Sequence, residues 1–233
     1  MSLTAVAGPS TSWDDDENFV LITFIGRQSG VRHFGESLRT LLEIATTVLP
    51  SKGKIFKICE KFDTYQKGGL FPLLHVCGDR SVVERYQREE NFANYYDLGD
   101  DHMVDQAVFR EIAHIDPPCS GRRCRDSVIT VSAFRSVDKN TSGVLKKNWK
   151  SWTGARALVL DMFEAGIEWH QMTFYARERP LLTEEDTPGF YYILVCKVGI
   201  RQPSDEGLIV DVLQRFRVER WFGYQTIYRA HDC

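Results

Sequence analysis

The longest regular pattern in the chain lies near its end, where Val210, Val212, Phe216, Val218, Phe222, Tyr224 and Tyr228 take even positions and Asp211, Arg215, Arg217, Glu219, Gln225 and Arg229 take odd ones. A period of two puts successive side chains on opposite faces, so this stretch reads as one long half-exposed strand or as a hairpin turning near Gly223. Shorter apolar runs predict strands over 19–25, 127–137, 169–176 and 190–198, while 70–77, which holds Pro72, reads as an edge strand or extended segment. Leu38, Leu41, Leu42, Ala45, Val48 and Leu49 recur at helical spacing before Pro50, and 154–163 predicts a shorter helix. Ile55, Phe56, Ile58, Cys59 and Phe62 predict a further amphipathic helix whose other side carries Lys52, Lys54, Lys57, Lys61 and Lys67. The acidic stretch 84–105 reads as a solvated helix and loop, and 106–115 alternates too weakly to choose between helix and strand. Helices and strands thus come in blocks. The expected fold is α+β: a single compact domain over 18–233, with a largely antiparallel sheet and amphipathic helices on it, behind a flexible, acidic-ended tail at 1–17.

A chain of 233 residues that is 43% hydrophobic can bury a substantial core. It contains no run near the roughly 18 apolar residues of a membrane span, and its start lacks the basic and apolar regions of a secretory signal. Cys59, Cys77, Cys119, Cys124, Cys196 and Cys233 mostly sit in apolar runs, so free thiols and an intracellular setting are expected.

No phosphate-binding glycine loop, dinucleotide fingerprint, nucleophile elbow or His-Glu-x-x-His helix is present. A metal set drawn from His75, Cys77, His114, Cys119 and Cys124 has a wider cysteine spacing than zinc ribbons use. Cys119, with arginines nearby and His114 upstream, has the makings of an activated thiol, but a proline-rich loop with incidental cysteines is the simpler account. Glu168 and His170 read as rim residues of a strand. No catalytic residue, metal ligand or cofactor is therefore expected.

The distinctive chemistry is basic. Between Arg122 and Lys150 eight cations face two anions, a local +6 in a chain of net charge -3. Arg122, Arg123 and Arg125 belong to a Pro and Gly loop, whereas Lys146, Lys147 and Lys150 interleave with Trp149 and Trp152. Cations beside large aromatics suit both stacking on bases next to phosphates and seating at anionic lipid headgroups. Lys54, Lys57 and Lys61 supply a second positive face for the same polyanionic partner. The alternative is that the two tryptophans are core anchors at i, i+3 and the lysines a solvated face.

The order of these elements (strand 19–25, an arginine-bearing loop, amphipathic helix 38–49, basic helix 54–62, strand 128–134, helix 154–163 and closing strands) resembles that of rhabdovirus matrix proteins. The resemblance implies a non-enzymatic, self-associating structural protein of the virion and host cytoplasm, with the viral ribonucleoprotein or RNA and an anionic membrane surface as partners. Two other functions compete with it: an RNA-binding viral accessory protein such as a silencing suppressor or movement factor, and an enzyme with an unrecognised site.

Overall fold

The computed structural model describes residues 18–27, 34–59, 70–89, 102–117, 126–135, 142–178, 189–219 and 223–231. Its elements run β1 (Phe19–Arg27), α1 (Phe34–Val48), β2 (Lys54–Ile58), β3 (Leu73–Cys77), α2 (Arg80–Glu89), β4 (His102–Ile115), β5 (Asp126–Phe134), α3 (Ser142–Lys147), α4 (Trp149–Trp152), α5 (Ala155–Glu164), β6 (Trp169–Arg177), β7 (Tyr192–Ile200), α6 (Pro203–Glu219) and β8 (Gly223–Ala230). The strands follow the order β1-β3-β2-β8-β5-β7-β6-β4, and β4 pairs back onto β1, so eight antiparallel strands close into a barrel.

That order contains a repeat. The quartets β4-β1-β3-β2 and β8-β5-β7-β6 have the same arrangement, and each half runs strand, helix, strand, strand, helix, strand. This is the split βαβ unit of ferredoxin-like folds, with α3 to α5 filling the first helical place of the second half. One such unit alone leaves two edge strands with unpaired backbone groups. Here β2 pairs with β8 and β4 with β6, and the two halves complete each other.

Side chains sort to two faces. One apolar cluster draws on all eight strands and on no helix, with Ile22, Phe24, Phe56, Leu74, Phe109, Val131, Tyr175, Ile193 and Tyr228 among its members; it fills the barrel. The alternate residues face outward under helices. Leu41, Ala45 and Leu49 cover Ile25 and Leu73, and Val83 covers Leu21, Cys77 and Val108. Trp149, Leu158, Met162, Ile209, Val212, Leu213 and Phe216 cover the second half.

The expected α+β sheet with helices laid on it is overturned, because the sheet curls shut and the helices surround it. The period-two reading of 210–228 fails in its first half. Ile209, Val212, Leu213 and Phe216 are fully buried at i, i+3, i+4 and i+7, so α6 turns one helical stripe inward, and only from Gly223 does a strand begin. The even positions suggested a strand because they passed over Ile209 and Leu213. Of the predicted basic helix at 54–62, Lys54–Ile58 form strand β2, held between β3 and β8, and 60–62 lie outside the described residues. Segment 70–77 is not an edge: β3 lies between β1 and β2, and Pro72 sits just before it, where a missing N–H costs no ladder bond. Strands β1, β5, β6 and β7 and helices α1 and α5 lie where the patterns predict them. Among the described residues, no helix is long and apolar enough to cross a membrane.

Candidate functional site at one mouth of the barrel

The two ends of the barrel are built differently. At the end where β1, β2, β5 and β6 finish, Phe71 and Phe190 are buried and pack edge-on against Phe24. Tyr224 joins them, and its hydroxyl and that of Tyr228 both donate to the Phe71 carbonyl, at 3.3 and 2.8 Å. Arg177 and Asp105 form an ion pair of 2.9 Å with both side chains 10% exposed. The other Asp105 oxygen accepts the Phe190 N–H at 2.8 Å, and Arg177 donates to the Phe190 carbonyl at 3.2 Å. Charge and backbone are both satisfied, and the end is plugged.

Among the described residues, the opposite end, where those four strands begin, is a mouth. The inward-facing side chains Val20, Phe56, Val76, Tyr175 and Val195 pack against the barrel cluster yet remain only partly buried. Lys54 of β2 and Lys197 of β7 share their inward parity and are exposed at the rim, and neither makes an ion pair among the described residues.

Two β-bulges shape one sector of this rim. On β4 the ladder with β6 shifts register between Glu111 and Ala113, so Glu111 opposite Tyr175 and His114 opposite Thr173 fall on the same, inward side, three residues apart. Without the bulge His114 would face the helices. On β6 Gln171 keeps the inward side of Thr173 and Tyr175, opposite Lys197, and a shift between Trp169 and Gln171 turns Trp169 to the outer face opposite Val198. Bulges re-aim side chains in this way, and they recur beside functional sites.

The result is a histidine among polar groups. Asp116 lies 3.0 Å from His114 Nε2. The Thr173 hydroxyl and the Gln171 amide lie 3.3 and 3.5 Å from Nδ1, with a Glu111 carboxylate oxygen at 3.8 Å. In the tautomer that donates Nε2–H to Asp116, Nδ1 accepts from the Thr173 hydroxyl. Once Nδ1 is protonated, Glu111 becomes its natural partner. Beneath them the Tyr175 phenol is pushed up to about 12 by burial and by the Glu111 charge, against side-chain hydrogen bonding with Thr173, so it stays a proton donor across physiological pH.

The residues expected to bind an anionic partner are placed otherwise. Trp149 is buried and stacks on Phe174 at 5.2 Å between ring centres, with Lys150 over its ring at 5.7 Å. Trp152 donates its indole N–H to the Leu145 carbonyl at 2.7 Å and packs against Phe134, Phe174 and Tyr192. Both tryptophans are packed as core anchors. Lys147 and Lys150 are exposed and Lys146 half-buried on the α3–α4 segment. Lys54 and Lys57 stand on β2, in the other half of the barrel, and point to opposite faces. Arg122, Arg123, Arg125 and Lys61 lie outside the described residues, as do Cys119 and Cys124. His75 and Cys77 are buried in β3, on the outer face of the sheet, and among the described residues no three metal-ligating side chains converge.

Sequence reading gave Glu111, Gln171, Thr173, Tyr175 and Lys197 no functional role and set His114 beside Cys119. A signal was present: 106–115 alternates poorly because a bulge interrupts it, and spacing of three between Glu111 and His114 fits one strand face only if a bulge lies between them.

The fold and site define a closed barrel of two ferredoxin-like halves with a polar mouth at one end. The chain belongs to DUF7153, a family described as a domain of unknown function, whose model matches residues 56–230, from within β2 to the end of β8. Among curated proteins no sequence relative was found. Similar solved structures include a protein provisionally described as a chlorite dismutase (7% identity, TM-score 0.39, covering 93% of this chain and 95% of that one). A variant of the chlorite dismutase from Candidatus Nitrospira defluvii has 12% identity and a TM-score of 0.40 over 92% of this chain and 91% of that one. A protein from Lactobacillus acidophilus NCFM, provisionally described as a monooxygenase, has 8% identity and a TM-score of 0.34 over 93% and 94%. Likeness at this level assigns neither chemistry nor ligand to this chain.

Proposed function

We propose that this protein binds a small molecule in the open mouth of the barrel, where the ligand meets an acid–base group, His114. The observation that carries this reading is the bulge on β4, which turns His114 onto the inward face at the unplugged end, beside Glu111 of its own strand and next to Gln171 and Thr173 of β6. An apolar wall with a few converging polar groups is the usual make-up of a ligand site, and barrel mouths are among its usual places. An eight-stranded barrel has room for its own side chains or for one small ligand. The wall of Val20, Val76 and Val195 suits an apolar body, and Lys54 and Lys197 favour a ligand with an anionic or electron-rich group. On this reading the expectation of a protein without chemistry is given up.

Fluorescence titration with 1-anilinonaphthalene-8-sulfonate, an apolar ring system carrying one anion, tests it. A single saturable site is expected, lost in Val195→Trp, which fills the mouth, and kept in Phe163→Ser, which removes an aromatic ring 79% exposed on α5. Binding that survives Val195→Trp and disappears in Phe163→Ser would place the dye on the helices instead.

One observation favours a second reading, contact with a polyanion: Lys147 and Lys150 are exposed and carry no ion pair among the described residues. Charge reversal at Lys146, Lys147 and Lys150 should then weaken RNA binding and flatten its dependence on salt.

A further inference from the structure

We propose that the mouth selects weakly acidic hydroxyl compounds, phenols or enols with an apolar body, and holds them as their anions by taking the hydroxyl proton onto His114 Nδ1. The proposal rests on the mouth being a ligand site and names the ligand class. His114 Nδ1 is held only by long contacts, 3.3 Å to Thr173 and 3.5 Å to Gln171, whereas Nε2 is fixed on Asp116 at 3.0 Å. A ligand hydroxyl that enters between them meets a lone pair with no strong competitor. Its O–H bond breaks, an N–H bond forms at Nδ1, and the electron pair stays on the ligand oxygen.

The surroundings favour both products. The new imidazolium lies between Glu111, 3.8 Å from Nδ1, and Asp116. Protonated Nδ1 can no longer accept from Thr173, so that hydroxyl is released as a donor to the oxyanion, and Tyr175 stands beside it with its phenolic proton. Lys197, opposite Gln171 on β7, adds a positive charge on the same side of the mouth. Donors aimed at a charge that forms only after proton transfer stabilise that state over the neutral complex. A ligand whose hydroxyl is an ordinary alcohol would gain little, because His114 could not hold its proton against so strong a base.

The test uses 4-nitrophenol, whose phenol and phenolate forms absorb at different wavelengths, with the full chain at a pH below the dye's own pKa. Saturable binding with the bound phenolate-to-phenol ratio raised at least about tenfold over free dye is expected. His114→Gln should bind the dye mainly as the phenol, and Tyr175→Phe should lose part of the rise. Binding with the ratio of free dye, or a rise that persists in His114→Gln, would overturn the proton transfer and leave the ligand site standing. No saturable binding to the wild-type protein would overturn both. Unchanged circular dichroism and denaturation midpoints confirm that each variant is folded.

Discussion

Strands β4 and β6 run the length of the barrel and carry polar or charged groups at both ends, but the two ends use them differently. At the plugged end Asp105 and Arg177 spend every nearby bond on each other and on Phe190, nearly out of solvent. At the mouth Glu111, His114 and Asp116 are partly exposed, their contacts range from 3.0 to 3.8 Å, and Nδ1 is only loosely engaged. A charged pair that is satisfied and dry locks an architecture; a polar cluster that is loosely satisfied and wet is free to change partners. The difference comes from backbone geometry. The ladder is regular from Phe109 to Glu111, and the bulge beyond it brings His114 to the inward side.

The largest effect should separate the ends through stability. Arg177→Ala leaves the Asp105 carboxylate without its partner and should cost about 3–5 kcal/mol in urea unfolding, whereas His114→Ala should cost less than about 1 kcal/mol. Equal costs would erase the contrast. The tyrosines give a smaller version of it. Tyr228→Phe removes a buried hydroxyl that donates to the Phe71 carbonyl at 2.8 Å, a loss of about 1–2 kcal/mol, while Tyr175→Phe should leave the denaturation midpoint nearly unchanged.

A third environment sharpens the comparison. His75 is buried against the turn at Pro50 and Gly53, its Nε2 3.2 Å from the Pro50 carbonyl and its Nδ1 without a partner among the described residues. Burial lowers its pKa below the ordinary 6.5, against a hydrogen bond from the ring to the Pro50 carbonyl, which raises it. The unfolded chain therefore takes up this proton first, so the stability from a neutral His75 is present above about pH 6.5 and is lost as pH falls from there toward the lowered folded value. His75→Gln should flatten the acid side of the stability profile; an unchanged acid slope would show that other groups carry it. The smallest effect belongs to the rim. Lys197→Ala should change stability by less than about 0.5 kcal/mol and weaken anilinonaphthalene sulfonate binding several-fold; tighter binding would remove the rim lysine from the account.

Most strands were legible because alternation or a wholly apolar run marks a sheet face, as at 19–25 and 190–198. Closure was not. Nothing in residues 54–58 or 169–177 states that β2 will meet β8 or that β6 will meet β4, since pairing between the halves is decided by the edges left when each unit forms. Helix α6 was hidden by an accident of spacing, and β2 by lysines at positions 54 and 57 that imitate a helical face over too short a stretch. The tryptophans were misleading in a different way. An aromatic next to lysines reads as a binding surface, yet Trp149 and Trp152 turn under the helix and leave only the lysines outside. The placing of His114 depends on a register shift, and a bulge leaves almost no mark on composition.

Methyl-resolved NMR of the valines under titration with 1-anilinonaphthalene-8-sulfonate would locate a ligand most directly. Val20, Val76 and Val195 line the mouth, while Val144 and Val218 are exposed on α3 and α6. The account predicts that the first three shift along one saturation curve while the helical pair stays in place. Shifts at Val144 or Val218 with the three mouth valines unmoved would contradict it.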